Sequence, residues 1–183
     1  TERIPIDIWA PPVSQVTAAE FATIATRTGH EWHVSDDDTG LSMAEWGAKL
    51  RGSLVTLESL LLTLPLHIGL ALEVVLDEPD SAPINPCIDA LLHAVYDAAG
   101  REKKSRRLFF GSAVPSACVA LNWKQPNYAV FFINHASLDA DAAVSTLPSN
   151  ADPRQSSVAE AVRFAKGNNL LGVMLDTALL ESV

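Results

Sequence analysis

The chain has 183 residues, 48% of them apolar, and a formal net charge of −9. This length suits one compact domain over residues 1–183 with its own core, and the acidic balance excludes a nucleic-acid partner, because phosphate backbones attract basic surfaces. With no apolar run near the roughly 18 residues that cross a bilayer, no signal peptide and no disulfide framework, the sequence predicts an intracellular protein of the cytoplasm or nucleus.

The first third of the chain combines one strand pattern with helical patterns. Isoleucine alternates with other residues over positions 4–8, as in an edge strand, and Pro11 and Pro12 end this strand pattern. Thr17 and Glu20 form a capping box and predict a helix after Thr17. The polar residues 27–41 predict a surface insertion.

Two histidines in that insertion, His30 and His33, raise the question of a metal site. Two residues separate them, whereas the zinc-binding helix motif His-Glu-x-x-His has three. The spacing therefore argues against a metal there.

The middle of the chain alternates helices with a strand. A helical pattern over residues 43–64 breaks near Gly52, a strand is predicted from Leu70 to Leu76, and a helix from Cys87 to Ala99. The predicted inner face of that helix consists of Ile88, Leu91, Leu92, Val95 and Tyr96, with His93 outside it. Cys87 and Cys118 both lie in apolar helical patterns and are predicted to be buried free thiols.

The segment from Arg107 to Asn134 predicts a βαβ unit. Its two apolar runs, 108–110 and 130–133, are continuous rather than alternating, as in strands of a parallel sheet covered on both faces. Phe110 and Phe131 are predicted to be core residues on adjacent central strands. A further helix over 158–166, capped by Ser156 or Ser157, and a last strand over 171–175 follow.

Polar residues follow these predicted strands at their carboxyl ends. Ser112, Asn134, His135 and Asp176 are therefore the candidates for lining a pocket, since parallel sheets place their chemistry at that edge. Gly111-Ser112-Ala113 is not a nucleophile elbow, and the sequence shows no partner that would make His135 a general base. The sequence therefore assigns no catalytic residue.

Glu73 is the one carboxylate within an apolar strand. Because side chains alternate along a strand, Glu73 is predicted to share a face with Ala71 and Val75, opposite Leu72 and Val74. A carboxylate packed against helices would be desolvated at a cost of several kcal/mol. The sequence therefore predicts that Glu73 points inward, away from the helices, and that Leu72 and Val74 pack against them.

Several short motifs in order resemble the eukaryotic glycerophosphodiester phosphodiesterase domain over roughly residues 55–183. They are Ala-Leu-Glu-Val-Val at 71–75, Leu-Phe-Phe-Gly-Ser-Ala at 108–113, Lys-Gln-Pro at 124–126, Ala-Val-Phe-Phe-Ile at 129–133, and the helix and strand of the tail. The resemblance implies a partial or degenerate (β/α)8 TIM barrel with a parallel sheet, of which this chain is the C-terminal portion. Four predicted strands against eight imply that the first strands lie upstream of residue 1. An upstream segment or self-association would then complete the barrel.

The chain departs from active members of that family. It lacks their His-Arg-Gly, acidic pair and His-Asp, and Val75 stands where the family has a lysine. Of the acidic metal ligands only Glu73 has a counterpart, as a remnant ligand.

This degenerate pattern is most similar to the C-terminal domain of fungal phosphate-starvation regulators. These are cyclin-dependent kinase inhibitors built from an SPX domain, ankyrin repeats and a phosphodiesterase-like barrel. The resemblance implies a non-catalytic regulatory domain without a cofactor, with a cyclin and its kinase as partners of the parent protein. The alternative is part of an active phosphodiesterase that uses Mg²⁺ or Ca²⁺ and whose catalytic histidines lie outside this chain.

Overall fold

The computed structural model describes residues 13–76, 84–102, 106–135 and 152–177. The chain divides between Ile68 and Gly69 into two compact units, which are described separately. The predicted strand at Ile4 to Ile8 lies outside the described residues. The prediction of one domain over 1–183 stays a prediction.

The first unit contains three α-helices: α1 (Ala18–Thr28), α2 (Met43–Arg51) and α3 (Leu57–Thr63). Thr17 caps α1 in the predicted capping box with Glu20. Gly29 ends α1 with φ +71°, a left-handed conformation that glycine adopts without steric cost. The predicted break at Gly52 is confirmed, because α2 ends there and α3 begins after Thr56 caps it.

The insertion over residues 27–41 is more ordered than predicted. Trp32 is buried, and its ring centroid lies 6.1 Å from that of the buried Trp46. The Lys49 ammonium lies 5.9 Å from both ring centroids and 2.5 Å from Asp38. The prediction of a surface segment is therefore wrong at Trp32, because burial of an indole against a second one outweighs the polarity of its neighbours.

The second unit contains a four-stranded, all-parallel sheet in the order β1-β2-β3-β4. Its elements are β1 (Leu70–Glu73), α4 (Ile84–Glu102), β2 (Leu108–Ser112), α5 (Pro115–Lys124), β3 (Ala129–Ile133), α6 (Pro153–Ser156), α7 (Val158–Gly167) and β4 (Gly172–Met174). The predicted α/β class and βαβ unit are confirmed. β1 is shorter than predicted because pairing with β2 ends with the bond from Val74 N to Gly111 O.

The helices cover one face of this sheet. Connections between neighbouring parallel strands are right-handed, so a sheet whose strands follow chain order carries its crossover helices on one side. Phe110, Val130 and Phe132 on that face are at most 1% exposed. The Phe132 ring meets Phe164 of α7 edge-on at 5.0 Å.

The opposite face of the sheet, here called the open face, carries apolar side chains and has no helix layer from the described residues of the second unit. Paired strand positions place Ala71, Glu73, Phe109, Gly111, Phe131, Ile133, Gly172 and Met174 there. Phe109 and Phe131 meet edge-on at 5.3 Å, and both are half-buried. Phe131 is adjacent to the strand of Phe110 as predicted, but full burial belongs to Phe132 instead, because alternation turns Phe131 to the open face.

Burial also corrects two predictions on α4. The helix runs from Ile84 to Glu102, beyond both predicted ends. Cys87 is exposed and Tyr96 is 36% exposed, whereas Cys118 in α5 is buried as predicted. Cys87 lies in the first turn of α4, one residue before the buried Ile88. Its thiol therefore points away from the buried face of the helix.

No helix in the described part of the chain combines the length and apolar character that crossing a bilayer requires.

Candidate functional site

The carboxyl ends of the four strands meet at one edge of the sheet, where parallel α/β folds bind their ligands. The sequence-predicted residues all lie there. Glu73 ends β1, Ser112 ends β2, Asn134 and His135 follow β3, and Asp176 follows β4. Their surroundings differ enough to separate their roles.

Glu73 lies on the open face, paired across the sheet with Gly111. Its side chain is exposed, as is that of Ala71, whereas Leu72 pairs with the fully buried Phe110 on the helix face. The predicted strand register at Glu73 is therefore confirmed. Its carboxylate stays in water and avoids the cost of burial against the helices.

Ser112 is fully buried and its hydroxyl is used in the fold. The hydroxyl donates to the Val74 carbonyl at 2.7 Å and accepts from the Val114 amide at 3.1 Å. The side chain therefore joins the end of β1 to the start of α5. A ligand would have to displace both bonds to reach it.

Asn134 is 3% exposed and joins β3 to its neighbours. Its side-chain amide donates to the Arg154 carbonyl at 2.8 Å, and its backbone amide donates to Met174 at 3.0 Å. His135, by contrast, has an exposed side chain and only its backbone amide bonded to Gln155, at 2.8 Å. Asp176 is exposed beyond the end of β4.

The short helix α6 is hydrogen-bonded to this edge of the sheet. The Gln155 side chain donates to the Ala113 carbonyl at 2.8 Å, so α6 is bonded to the segments after both β2 and β3. Asp152 caps α6 through the Arg154 amide and accepts a bidentate bond from the Arg154 guanidinium. That guanidinium holds the pKa of Asp152 below its usual value, and the carboxylate in turn raises the pKa of Arg154.

An open cleft of ≈ 1900 Å³ adjoins these residues. Glu73, His135 and Arg154 contribute to its lining, together with Val119 and Trp123 of α5. Trp123 is 83% exposed. The cleft therefore combines a few polar groups at the strand ends with an apolar wall along one helix.

Metal-binding chemistry has few candidate ligands here. Among the described residues, no three His, Cys, Asp or Glu side chains are grouped so that they could hold one ion. Glu73 supplies at most two oxygens, whereas Ca²⁺ takes six to eight and Mg²⁺ six. His30 and His33 have other neighbours, with His30 Nδ1 2.8 Å from the Gly52 carbonyl and His33 3.3 Å from Glu31.

The Lys-Gln-Pro motif has a structural role that sequence reasoning missed. Gln125 is 2% exposed, and its side-chain oxygen accepts from the Asn127 and Tyr128 amides at 3.0 and 2.8 Å. Its side-chain nitrogen donates to the Tyr128 carbonyl. Lys124 donates to Asp89 of α4 at 2.7 Å. The only signal in the sequence was the position of this glutamine between a helix and a strand.

These features define an α/β protein whose parallel strands follow chain order, with helices on one face of the sheet and polar residues at the carboxyl ends of the strands. Comparison with known proteins is consistent with a glycerophosphodiester phosphodiesterase-like domain near the fungal nuc-2 type, as the sequence resemblance implied. The chain is 28% identical to the ankyrin repeat protein nuc-2 of Neurospora crassa over 216 aligned positions, which cover 94% of this chain and 20% of that protein.

Two phosphodiesterases are also similar to the chain. Glycerophosphocholine phosphodiesterase GDE1 of Candida albicans is 32% identical over 73% of this chain, and its namesake in Eremothecium gossypii is 29% identical over 70%. The chain spans 20% of the length of nuc-2 and 11% and 10% of the two phosphodiesterases. No family model and no solved structure matches.

Proposed function

We propose that this chain is a non-catalytic, phosphodiesterase-like regulatory domain of a fungal phosphate-signalling protein. The observation that carries the proposal is how the polar residues at the carboxyl ends of the strands are buried and hydrogen-bonded. Ser112 and Asn134 are enclosed and hydrogen-bonded within the fold, and Glu73 is the one described strand residue with a carboxylate at this edge. Metal-assisted phosphodiester hydrolysis needs several oxygen ligands around the cation, together with groups that move protons.

The proposal includes a (β/α)8 barrel to which these four strands belong. Support comes from the strand order, which follows the chain, and from the single helix layer, since both are properties of such barrels. Similarity to nuc-2 supports the regulatory context. By the resemblance drawn from the sequence, the parent protein would act inside the cell on a cyclin and its kinase.

A second candidate is part of an active, metal-dependent glycerophosphodiester phosphodiesterase. The observation that favours it is the 32% identity to the phosphodiesterase of Candida albicans. Mg²⁺ or Ca²⁺ would then bind at Glu73, with the remaining ligands and the catalytic histidines supplied from outside this chain.

Hydrolysis of glycerophosphocholine separates the two candidates. The parent protein, which carries the segments outside this chain that the second candidate requires, is purified and assayed with Mg²⁺ or Ca²⁺ beside two variants, Glu73→Gln and the control Asp97→Asn, which removes an exposed carboxylate from α4. We expect all three proteins to release choline at the rate of the buffer alone. Turnover by the parent protein that Asp97→Asn keeps and Glu73→Gln abolishes would establish the enzyme and overturn the proposal.

A further inference from the structure

The short helix α6 forms part of the wall of the cleft and separates the cleft from Asn134. Residues 152–155 line the cleft. Asn134 is 3% exposed, and its side-chain amide donates to the carbonyl of Arg154 in α6. Access from the cleft to this buried amide therefore depends on where α6 lies.

Hydrogen bonds of 2.8 Å join α6 to the residues that follow β2 and β3. The Asn134 side chain donates to the Arg154 carbonyl, and the His135 backbone amide donates to the Gln155 carbonyl. The Gln155 side chain donates in turn to the Ala113 carbonyl. Water replaces such partners when two segments separate, so each bond contributes only a small net stability.

Apolar burial contributes little to the position of α6. None of its four residues is buried, whereas α5 and α7 bury side chains such as Leu121 and Ala161, both 0% exposed. The Arg154 guanidinium lies 5.1 Å from the Phe164 ring, but its side chain is 41% exposed. Elements with few buried contacts open locally at a lower free energy than the core of the same protein. We therefore expect α6 to open before the sheet does.

A break in the helical backbone separates α6 from α7. Ser157 ends α6 and precedes the first residue of α7, and its backbone is extended, with φ −117° and ψ 119°. Its hydroxyl accepts from the Glu160 amide and so caps α7. Because α7 has its own cap and its own buried face, it can stay folded when α6 leaves the sheet.

We propose that α6 is a strap that opens and closes over the carboxyl ends of β2 and β3 while the sheet stays folded. In the open state the Asn134 side chain and the His135 backbone amide lose their bonds to α6, and the cleft extends to Asn134. A local equilibrium thus controls access to the buried polar residues at this edge. The inference goes beyond the proposed function and holds whether or not the domain is catalytic.

Native-state hydrogen exchange of the 183-residue chain, followed by NMR at urea concentrations below the unfolding transition, tests the inference. The His135 amide reports on the strap because its acceptor is the Gln155 carbonyl. The Phe110 and Phe132 amides report on the sheet because they lie in its two central strands. We expect the His135 amide to be protected at least about tenfold less than the sheet amides. Its exchange rate should change little with urea, because local opening exposes little surface.

Two glutamine variants separate opening of the strap from unfolding of the sheet. Gln155→Ala removes the bond to Ala113 but keeps the carbonyl that accepts from His135, and it should speed exchange at His135 about three- to tenfold. Gln125→Ala, the matched control, removes side-chain bonds to the backbone at the other end of β3. It should speed exchange of the sheet amides at least about fivefold and leave the His135 rate within about twofold.

Four results would overturn the proposal. The His135 amide could be as protected as that of Phe132 with the same urea dependence, which would mean that α6 leaves only when the sheet unfolds. It could exchange like an unstructured peptide, which would mean that α6 is not bonded to the sheet. The other two are an unchanged His135 rate in Gln155→Ala and equal acceleration of His135 and the sheet amides in Gln125→Ala.

The wild-type measurements alone can refute the strap, so the test does not depend on a variant that fails to fold. Hydrolysis is measured in a separate assay. Failure of the strap therefore leaves the test of the proposed function intact.

Discussion

Truncating neighbouring phenylalanines on β3 provides the strongest test of which face of the sheet the helices cover. Phe132 is 0% exposed and packs edge-on against Phe164, whereas Phe131 is half-buried on the open face. Phe132→Ala removes a fully enclosed ring and leaves a cavity, which costs about 3–5 kcal/mol. Phe131→Ala removes a ring that is already partly in water, and we expect a cost of about 1–2 kcal/mol.

Urea denaturation followed by far-UV circular dichroism measures both free energies of unfolding. The two variants serve as controls for each other, because they delete the same atoms from adjacent positions of one strand. An equal cost for both, or a larger cost for Phe131→Ala, would refute the assignment of the two faces.

Three further results are expected. Gln125→Ala should lower the free energy of unfolding by about 1–2 kcal/mol in the same urea assay, because two part-buried backbone amides lose their acceptor; a loss of less than about 0.5 kcal/mol would contradict this role. The pKa of Asp152 is lowered by its bond to Arg154, so the stability that this pair contributes is present above the carboxyl's unfolded value of about 4 and is lost as the pH falls through its lower folded value. The melting temperature of the wild type should therefore exceed that of Asp152→Asn at pH 7, and the two should converge below about pH 3, whereas a pH-independent difference would argue against the ion pair. Burial raises the pKa of the Cys118 thiol to about 12, so a thiol reagent at pH 8 should label only the exposed Cys87 in the folded protein, and rapid labelling of two thiols would contradict the burial of Cys118.

The sheet could be predicted from the sequence because its strands are short, continuous apolar runs separated by helical patterns. The runs at 108–110 and 130–133 predicted adjacent parallel strands, and the structure pairs Phe110 with Val130. Alternation also placed Glu73 on the correct face. These predictions depend only on local patterns and on the handedness of βαβ connections, which hold in most sequences.

The state of the strand ends was harder to predict because it depends on contacts between distant residues. Ser112 was a candidate for a pocket, yet it has the same parity as Phe110 and therefore lies on the helix face, where Val74 accepts from its hydroxyl. Asn134 is enclosed through Arg154, twenty residues further along the chain. Parity along β2 could have separated Ser112 from Glu73, whereas no local pattern indicates the bond between Asn134 and Arg154.

The role of Gln125 affects how sequences of this kind are interpreted. Its three hydrogen bonds to the turn before β3 hold a glutamine at this position whether or not the strand ends perform any chemistry. A protein that has lost its metal ligands would therefore remain under selection to keep Lys-Gln-Pro for folding alone. Genome surveys that rely on this motif will find sequences that share its ancestry and fold, whether or not they are enzymes. The acidic residues and histidines must be checked separately before such a sequence is counted as a hydrolase.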